Sequence, residues 1–486
     1  MELYRYRTIE SAIRDIETGA FHFASPSELN DPMEGYVSVY WKGDRAAWEG
    51  LFRNYICSYF NAIENYLLAQ DEKVLWEKTL MIDINAFDKF PIGKAYREIG
   101  NAILADQDVI RIISVYGDNE FKCFSNELHL ILQFIHIKAF KICITYCHKY
   151  KLIPEDMVNS LIKGPEMTDL SSFPFEHLNK LESDEVRRTI AMVADHEMND
   201  LMEFQMICSG MQEPGFTYGR DITDFCNDVK KGRQHRNWMA LVVDFPKMYI
   251  HQLKNMIYPE SYYVCFSGKN DDSAMWGNYA DHHRGVCLVY DADYNRDRAE
   301  QYGYYQENKN ICPKKVEYGG KIIERNFFET FGRLTIPQIK GWLTGKNGVL
   351  SNCFAIFDSA EKIAEWREKY WEVFNAKNFH KLEAWKYEDE YRILIDNSFG
   401  EYVKIETDAD AKKGRQSRNL KYDKKLLKGV IFGIMTSEYD KARIVEVLED
   451  NGIAGNITYY QAEYDDVNQK IIVRKKGLWC RAAHNN

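Results

Sequence analysis

Strand-like patterns lie at both ends of this chain and are separated by a long segment with a helical period. LYRYR (3–7) and AFHFAS (20–25) predict two strands on either side of a short helix, TIESAIRDIETG (8–19). From residue 45 to 255, stretches such as AAWEGLFRNYICSYFNAIENYLLAQ repeat apolar residues every three or four positions. Strand patterns then return in YYVCFS (262–267), GVCLVYD (285–291), KKVEYGG (314–320), YEDEYRILI (387–395) and KGVIFGIM (428–435).

A sheet built from these strands must bring the two ends of the chain together. The sequence therefore predicts an α+β fold with a mixed or antiparallel β core. Residues 1–44 and 256–486 are expected to form this core domain, and residues 45–255 a large helical insertion.

Composition restricts the class of protein. The 486 residues are 45% hydrophobic and carry a net charge of -10, which argues against a general binder of polyanions. The first ten residues have no apolar secretory core, and the eleven cysteines are scattered without a regular framework, so a cytoplasmic protein is expected. The apolar stretch 128–147 is interrupted by His and Lys, which predicts a buried helix and no membrane contact.

The segment KLEAWKYEDEYRILIDN (381–397) contains two glutamates one residue apart. If it is a strand, Glu388 and Glu390 share one face at roughly 6.5 to 7 Å. Either they form a solvated charge ladder with Lys386 and Arg392, or they are a carboxylate pair that faces a ligand.

The segment 262–291 is rich in side chains that take part in chemistry. Ser267 ends an apolar strand, where a hydroxyl can project into a cleft. His282 and His283 are adjacent and therefore poor joint ligands for one metal, so His283 is either a single catalytic or hydrogen-bonding histidine or a structural one. No metal is expected, although a metal-dependent nuclease or hydrolase using Asp271, Asp272, His283 and the two glutamates is a further alternative.

Two nearly identical basic segments occur in the chain. KKGRQHRN (230–237) and KKGRQSRN (412–419) share seven of eight residues. Their basic parts, 230–236 and 412–418, run from Lys230 to Arg236 and from Lys412 to Arg418. They either contact phosphates of a nucleic acid or are solvated surface loops.

Four blocks of the sequence resemble, in order, a bacterial domain-of-unknown-function family, the one numbered 2971. They are LYRYR, FHFASPSELNDPMEG, CFSGKNDDSAMWGNYADHHRG and WKYEDEYRILI. The resemblance covers both ends of the chain, whereas the helical segment departs from the family's compact pattern. It supplies no activity. The matching positions include Arg7, Ser25, Asn30, Asp31, Pro32, Phe266, Ser267, Trp276, Tyr279, His283, Glu388, Glu390 and Arg392.

The order of residue types also resembles ADP-ribosyltransferases of the arginine-serine-glutamate type. That resemblance implies NAD as substrate, with Arg5 or Arg7 on its pyrophosphate and Ser267 supporting a glutamate. Glu390 would stabilise an oxocarbenium-like state, and Glu388 would orient or deprotonate the acceptor. The expected catalytic residues are Glu390, Glu388, Ser267 and His283. The expected NAD-binding residues are Arg5, Arg7, Tyr6, Ser25, Asn30, Trp276 and Tyr279.

The resulting hypothesis is an NAD-consuming, ADP-ribosyltransferase-like enzyme. It would be a phage-defence or toxin effector that modifies a protein or nucleic-acid acceptor. Two alternatives remain open, namely a non-enzymatic ligand-sensing module of a bacterial defence system and the metal-dependent nuclease.

Overall fold

The computed structural model describes most of the chain, and every structural statement below concerns the described residues. These are residues 1–31, 33–69, 80–83, 91–153, 178–195, 241, 244–291, 313–320, 322–397, 402–403 and 416–477. The basic segment 230–236 lies outside them, as do residues 412–415 of the second basic segment. Helices and a large mixed sheet are both present, so the predicted α+β class is confirmed.

The chain forms two compact units. The first comprises residues 1–36, 259–323 and 372–486, and the second comprises residues 37–258 and 324–371. The second unit thus includes the segment 324–371, which the sequence analysis had assigned to the core domain.

The strands are numbered along the chain. They are β1 (Glu2–Arg7), β2 (Ala20–His22), β3 (Ser38–Trp41), β4 (Cys123–Phe124), β5 (Ser261–Ser267), β6 (Val286–Asp291), β7 (Lys314–Lys315), β8 (Glu317–Tyr318), β9 (Glu324–Asn326), β10 (His380–Lys381), β11 (Glu390–Asp396), β12 (Tyr402–Val403), β13 (Gln416–Ser417), β14 (Asn419–Lys421), β15 (Leu427–Phe432), β16 (Thr458–Asp465) and β17 (Lys470–Lys475).

The α-helices are numbered in the same way. They are α1 (Ile9–Thr18), α2 (Arg45–Ala69), α3 (Pro91–Ile103), α4 (Gln107–Gly117), α5 (Ser125–Lys149), α6 (Ser183–Asp195), α7 (Phe245–Ile257), α8 (Ser273–Tyr279), α9 (Ile336–Trp342), α10 (Ala360–Asn378) and α11 (Glu438–Asp450).

The first unit is built on an eight-stranded sheet in the order β17-β16-β15-β6-β1-β5-β11-β7. Only β15 and β16 are parallel neighbours; the other pairs are antiparallel. Strand alternation distributes the apolar residues of β1 to both faces. Leu3 joins a core with α1 and α11, and Tyr6 joins a second core with Trp276 of α8.

Helix α1 sets the path of the chain between β1 and β2. The Thr8 side chain accepts a hydrogen bond from the Ser11 N–H at the start of the helix. Gly19 ends it in the left-handed conformation, with φ of 55°. Both boundaries agree with the prediction from the sequence.

Strands β1 and β5 are neighbours in the sheet, yet they separate along most of their length. β1 pairs with β6 from Glu2–Asp291 to Arg7–Val286, but with β5 only at Tyr4–Ser267. β5 pairs fully with β11 on its other side, and a bridge joins Tyr263 to Ala24. The sheet therefore opens between the two strands.

The second unit is mainly helical and has an aromatic core. Trp48 of α2 contacts Tyr116 and Phe328, and Tyr55 is hydrogen-bonded to His136 of α5 at 2.6 Å. Among the described helices, α5 is the one long and apolar enough to cross a membrane by length and composition. Because 56% of its most apolar window is buried inside the protein, it has the character of a core helix.

The strand predicted at 387–395 is wrong at its beginning. Residues Glu383–Glu388 form a 3-10 helix, Asp389 is left-handed with φ of 43°, and β11 begins at Glu390. The two glutamates therefore do not share a strand face. The turn between them, not a strand repeat, determines where each carboxylate points.

Candidate functional site

A cleft of about 450 Å³ lies in the first unit where β1 and β5 separate. A volume of this size is typical of small-molecule sites. Eight of the predicted site residues line it, namely Arg5, Tyr6, Arg7, Asn30, Ser267, Tyr279, Glu388 and Glu390. The remaining lining residues are Tyr4, Arg14, His22, Ala24, Glu28, Leu29, Tyr263, Cys265, Phe266, Met275 and Lys381.

One end of the cleft carries the arginines of β1. Arg7 Nε donates to Asp15 Oδ2 at 2.7 Å, and Arg5 Nη1 lies 3.4 Å from the same oxygen. The Arg5 guanidinium also lies 5.0 Å from the centre of the Phe21 ring. Burial, and secondly the charge of Arg7, lower the pKa of Arg5. Two cations thus share one carboxylate.

The same end has further positive charge. Arg14 on α1 is exposed, and its guanidinium makes no ion pair or hydrogen bond with any residue that the structure describes. Arg418, from the second basic segment, is buried and donates to Glu28 at 2.6 Å. Arg418 is therefore not part of a solvated loop. The arginine end has an excess of cationic side chains.

The opposite end of the cleft holds Glu390 in a fork of hydrogen bonds. Arg392 Nε donates to Glu390 Oε1 at 2.7 Å, and Nη2 donates to Oε2 at 2.9 Å. Lys381 Nζ adds a third contact to Oε2 at 3.3 Å. Burial opposes ionisation of this carboxyl, but Arg392 and then Lys381 outweigh it and lower the pKa of Glu390 to about 2. Glu390 is an ionised, fixed carboxylate.

Glu388 lies beside it with a different environment. Tyr279 Oη donates to Glu388 Oε1 at 2.5 Å, and Lys381 Nζ donates to Oε2 at 2.6 Å. Burial raises the pKa of Glu388 despite these two donors. The two glutamates are thus separated in acidity, as is common for paired carboxyl groups in active sites.

Ser267 fixes the turn that carries Glu388. Its hydroxyl donates to the Glu388 carbonyl oxygen at 2.7 Å and accepts from the Lys269 N–H at 3.1 Å. Ser267 thus contacts Glu388 through the main chain. Asn30 and Tyr6 also line the cleft, and the Tyr6 hydroxyl donates to the Lys269 carbonyl at 3.0 Å.

Three predicted site residues do not line the cleft. Ser25 lies at the start of a 3-10 helix, where its main-chain N–H donates to Glu28 Oε2 at 2.7 Å. Trp276 is fully buried and packs edge-on against Tyr6 with ring centres 5.1 Å apart. His283 stands in a left-handed turn with φ of 69°. Trp276 therefore supports the wall of the cleft through Tyr6, whereas Ser25 and His283 are not among the residues that line it.

Two charged side chains at the glutamate end of the cleft, Lys381 and Glu34, were not predicted from the sequence. The burial of a third, Arg392, was not predicted either. Lys381 was not singled out, although it contacts both glutamates. Glu34, in the NDPMEG segment, accepts from Arg392 Nη1 at 2.5 Å. Arg392 is completely buried, and Lys386 pairs instead with exposed Glu383, so the solvated-ladder alternative is wrong.

The described residues contain no group of three or more His, Cys, Asp or Glu side chains arranged to hold a metal ion. Asp272, which the nuclease hypothesis requires, caps α8 by accepting from the Ala274 and Met275 N–H groups. Its carboxylate is thus already engaged in a structural role.

Comparison with known families gives one match. The model of a protein family of unknown function, DUF2971, matches residues 275–393. Over this segment the chain is similar to the DUF2971 family. The DUF2971 segment contains Tyr279, Lys381, both glutamates and Arg392, so the carboxylate end of the cleft lies within it. The chain matches no curated protein and no solved structure.

Proposed function

We propose that this protein is an NAD-consuming, ADP-ribosyltransferase-like enzyme of the bacterial cytoplasm. The observation that carries the proposal is the lining of one cleft by Arg5 and Arg7 of β1 and by Glu388 and Glu390 around the start of β11, with β5 between the two strands in the sheet. Ser267 lies between them, at the single point where β1 and β5 pair. The residues whose order resembles that of ADP-ribosyltransferases thus line one cleft, and this supports the proposal.

Charge complementarity supports NAD as the ligand. The pyrophosphate of NAD is anionic and suits the arginine end, where Arg5, Arg7 and Arg14 exceed their one carboxylate partner, Asp15. The nicotinamide ring is cationic and suits the glutamate end. A dinucleotide laid along the cleft would therefore match the sign of the charge at both ends.

The two carboxyl groups have properties that fit glycosidic cleavage. Ionised Glu390 would stabilise positive charge that develops on the ribose as its bond to nicotinamide breaks and nicotinamide leaves with the electron pair. Glu388, whose pKa burial raises, would accept the proton of the attacking acceptor. The acceptor then forms the new bond to the ribose carbon.

The biological role that we propose is that of a phage-defence or toxin effector that modifies a macromolecule. Its acceptor would be a protein or a nucleic acid, and the basic segment 230–236 is a candidate contact for the latter. These assignments rest on the family resemblance and not on the geometry of the cleft.

The test is incubation of the pure protein with NAD that carries a labelled adenylate, together with lysate protein, RNA and DNA. We expect nicotinamide release and transfer of the label, and we expect Glu388→Gln and Glu390→Gln to abolish both. Glu383→Gln is the matched control, because Glu383 is exposed and pairs only with Lys386. No release and no transfer in the wild-type protein would refute the proposal.

A non-enzymatic ligand sensor is the second candidate, and one observation favours it. Both oxygens of Glu388 and both of Glu390 already accept hydrogen bonds from Tyr279, Lys381 or Arg392. A saturated pair of this kind can recognise a ligand without catalysing a reaction. Under this reading NAD would raise the melting temperature of the protein, Glu388→Gln would change that shift, and no nicotinamide would appear.

A further inference from the structure

Five ionisable side chains at the glutamate end of the cleft form one buried cluster. Their side chains are between 0% and 6% exposed. The cluster consists of Glu34, Lys381, Glu388, Glu390 and Arg392.

Fully ionised, this cluster has three negative and two positive charges and therefore a net charge of -1. An uncompensated buried charge is costly, so the cluster is more stable when it holds one additional proton. Only one of its six carboxylate oxygens has no hydrogen-bond donor among the described residues, and that oxygen is Glu34 Oε2.

The surroundings of Glu34 agree with this position for the proton. Its Oε1 accepts from Arg392 Nη1 at 2.5 Å, whereas Oε2 lies 3.7 Å from Lys381 Nζ, too far for a hydrogen bond. Glu390 adds a like charge, and the Tyr263 hydroxyl is neutral at physiological pH because burial raises its pKa. Burial also raises the pKa of Glu34 itself.

Lys381 links this carboxyl to the cleft. Its ammonium is 2.6 Å from Glu388, 3.3 Å from Glu390 and 3.7 Å from Glu34. When Glu34 is protonated, Lys381 is held by the two cleft glutamates alone. When Glu34 is ionised, a third carboxylate competes for the same ammonium.

We propose that Glu34 carries the proton of this cluster in the free protein and releases it to solvent when a cationic ligand group binds at Glu388 and Glu390. The inference rests on the proposed function for the identity of the cleft's ligand, but not for the location of the proton. Glu34 is then a positioning residue. It acts through Lys381, and the ligand class that it favours is a dinucleotide with a positively charged ring.

The first experiment needs no ligand. The infrared carbonyl band of protonated carboxyl groups is measured for the wild-type protein and for Glu34→Gln across a pH titration. We expect a band that titrates in the wild type and is missing from the variant. The control is Glu64→Gln, a half-buried glutamate whose pKa burial also raises and which accepts from Tyr96, and the Glu34 band should persist in it. Identical bands in the wild type and in Glu34→Gln would overturn the proposal.

The second experiment measures proton release during binding, at a pH where the Glu34 band is present. Calorimetric titrations in two buffers of different ionisation enthalpy use an NAD analogue with a carbocyclic ribose, which cannot be hydrolysed, and its dihydro form. The two ligands share the pyrophosphate and differ in the charge of the ring. We expect close to one proton released with the cationic form, none with the dihydro form and none from Glu34→Gln.

The outcomes separate the two proposals. Equal proton release with both ring forms, or no release with the cationic form, overturns the role of Glu34. If neither analogue binds, NAD is the wrong ligand and the proposed function fails. In that case the infrared result alone decides where the proton is held.

Discussion

Replacement of Arg392 by methionine should destabilise the first unit more than any substitution of a surface charge. Arg392 is fully buried, donates two hydrogen bonds to Glu390 and one to Glu34, and also donates to the Asn378 carbonyl at 2.7 Å. Methionine keeps an unbranched apolar side chain but removes the charge. Glu390 then loses its principal counter-ion and Glu34 loses a hydrogen-bond donor, and breaking a buried ion pair in this way typically costs about 3–5 kcal/mol.

The pKa of Glu390 leads to a similar free energy. Within the folded protein the pKa of Glu390 falls from 4.5 to about 2. At about 1.4 kcal/mol per factor of ten, the ionised form of this carboxylate contributes about 3 kcal/mol to stability. Because the folded pKa is the lower one, this contribution is present above pH 4.5 and is lost as the pH falls toward 2.

The assay is hydrogen exchange of main-chain amides in β5 and β11 at neutral pH. Local exchange is preferable to a global melting curve because a chain with two compact units need not unfold in one transition. Exchange in Arg392→Met should be faster by a factor of about a hundred to a few thousand. In the control, Lys386→Met, it should change by a factor of about five or less, since that lysine and its partner Glu383 are exposed.

A double variant tests the cause. Adding Glu390→Gln to Arg392→Met removes the stranded charge, so the double variant should be more stable than Arg392→Met alone. If the two effects simply add, or if Arg392→Met exchanges no faster than Lys386→Met, the reasoning about buried charge is refuted.

Three further outcomes are expected. Arg14→Gln should weaken binding of ADP-ribose several-fold in a titration without changing the melting temperature, because Arg14 is an exposed cation of the cleft. The control, Lys421→Gln, should change neither the affinity for ADP-ribose nor the melting temperature. Tyr279→Phe removes a donor that lowers the pKa of Glu388, so the acidic limb of the pH–activity profile should move to higher pH; an unchanged limb would exclude Glu388 as the base. Asp272→Ala removes the N-cap of α8 and should cost about 1 kcal/mol, seen as faster amide exchange in that helix, whereas Asp272→Asn should retain most of the stability.

The fold class followed from the sequence because strand patterns occur at both ends of the chain. LYRYR alternates tyrosine with arginine after its leucine, YYVCFS is a short run of aromatic and apolar residues, and both form strands of one sheet. The N-cap at Thr8 and the left-handed Gly19 are local features, so their positions could also be read directly.

The geometry of the glutamate pair could not be predicted in this way. The sequence WKYEDEY does not indicate that Asp389 has a left-handed conformation. An aspartate adopts that conformation at low cost only where its tertiary surroundings favour it, and these cannot be read from neighbouring residues. Lys381 and Glu34 join the cluster through tertiary contacts, and periodicity carries no information about such contacts. The cluster therefore became visible only once the strands were in place.

The separation of β1 from β5 has a consequence for how the cleft can vary among related chains. Among the described residues, the facing edges of the two strands pair only at Tyr4 and Ser267, so the main-chain ladder between them is incomplete beside the cleft. Main-chain donors and acceptors are the same whichever residues the strands carry. Substitution of the lining side chains should therefore change which ligand is selected while the polar edges remain. The opening between the two strands could therefore bind different ligands in related chains, and the side chains that line it would determine the ligand specificity.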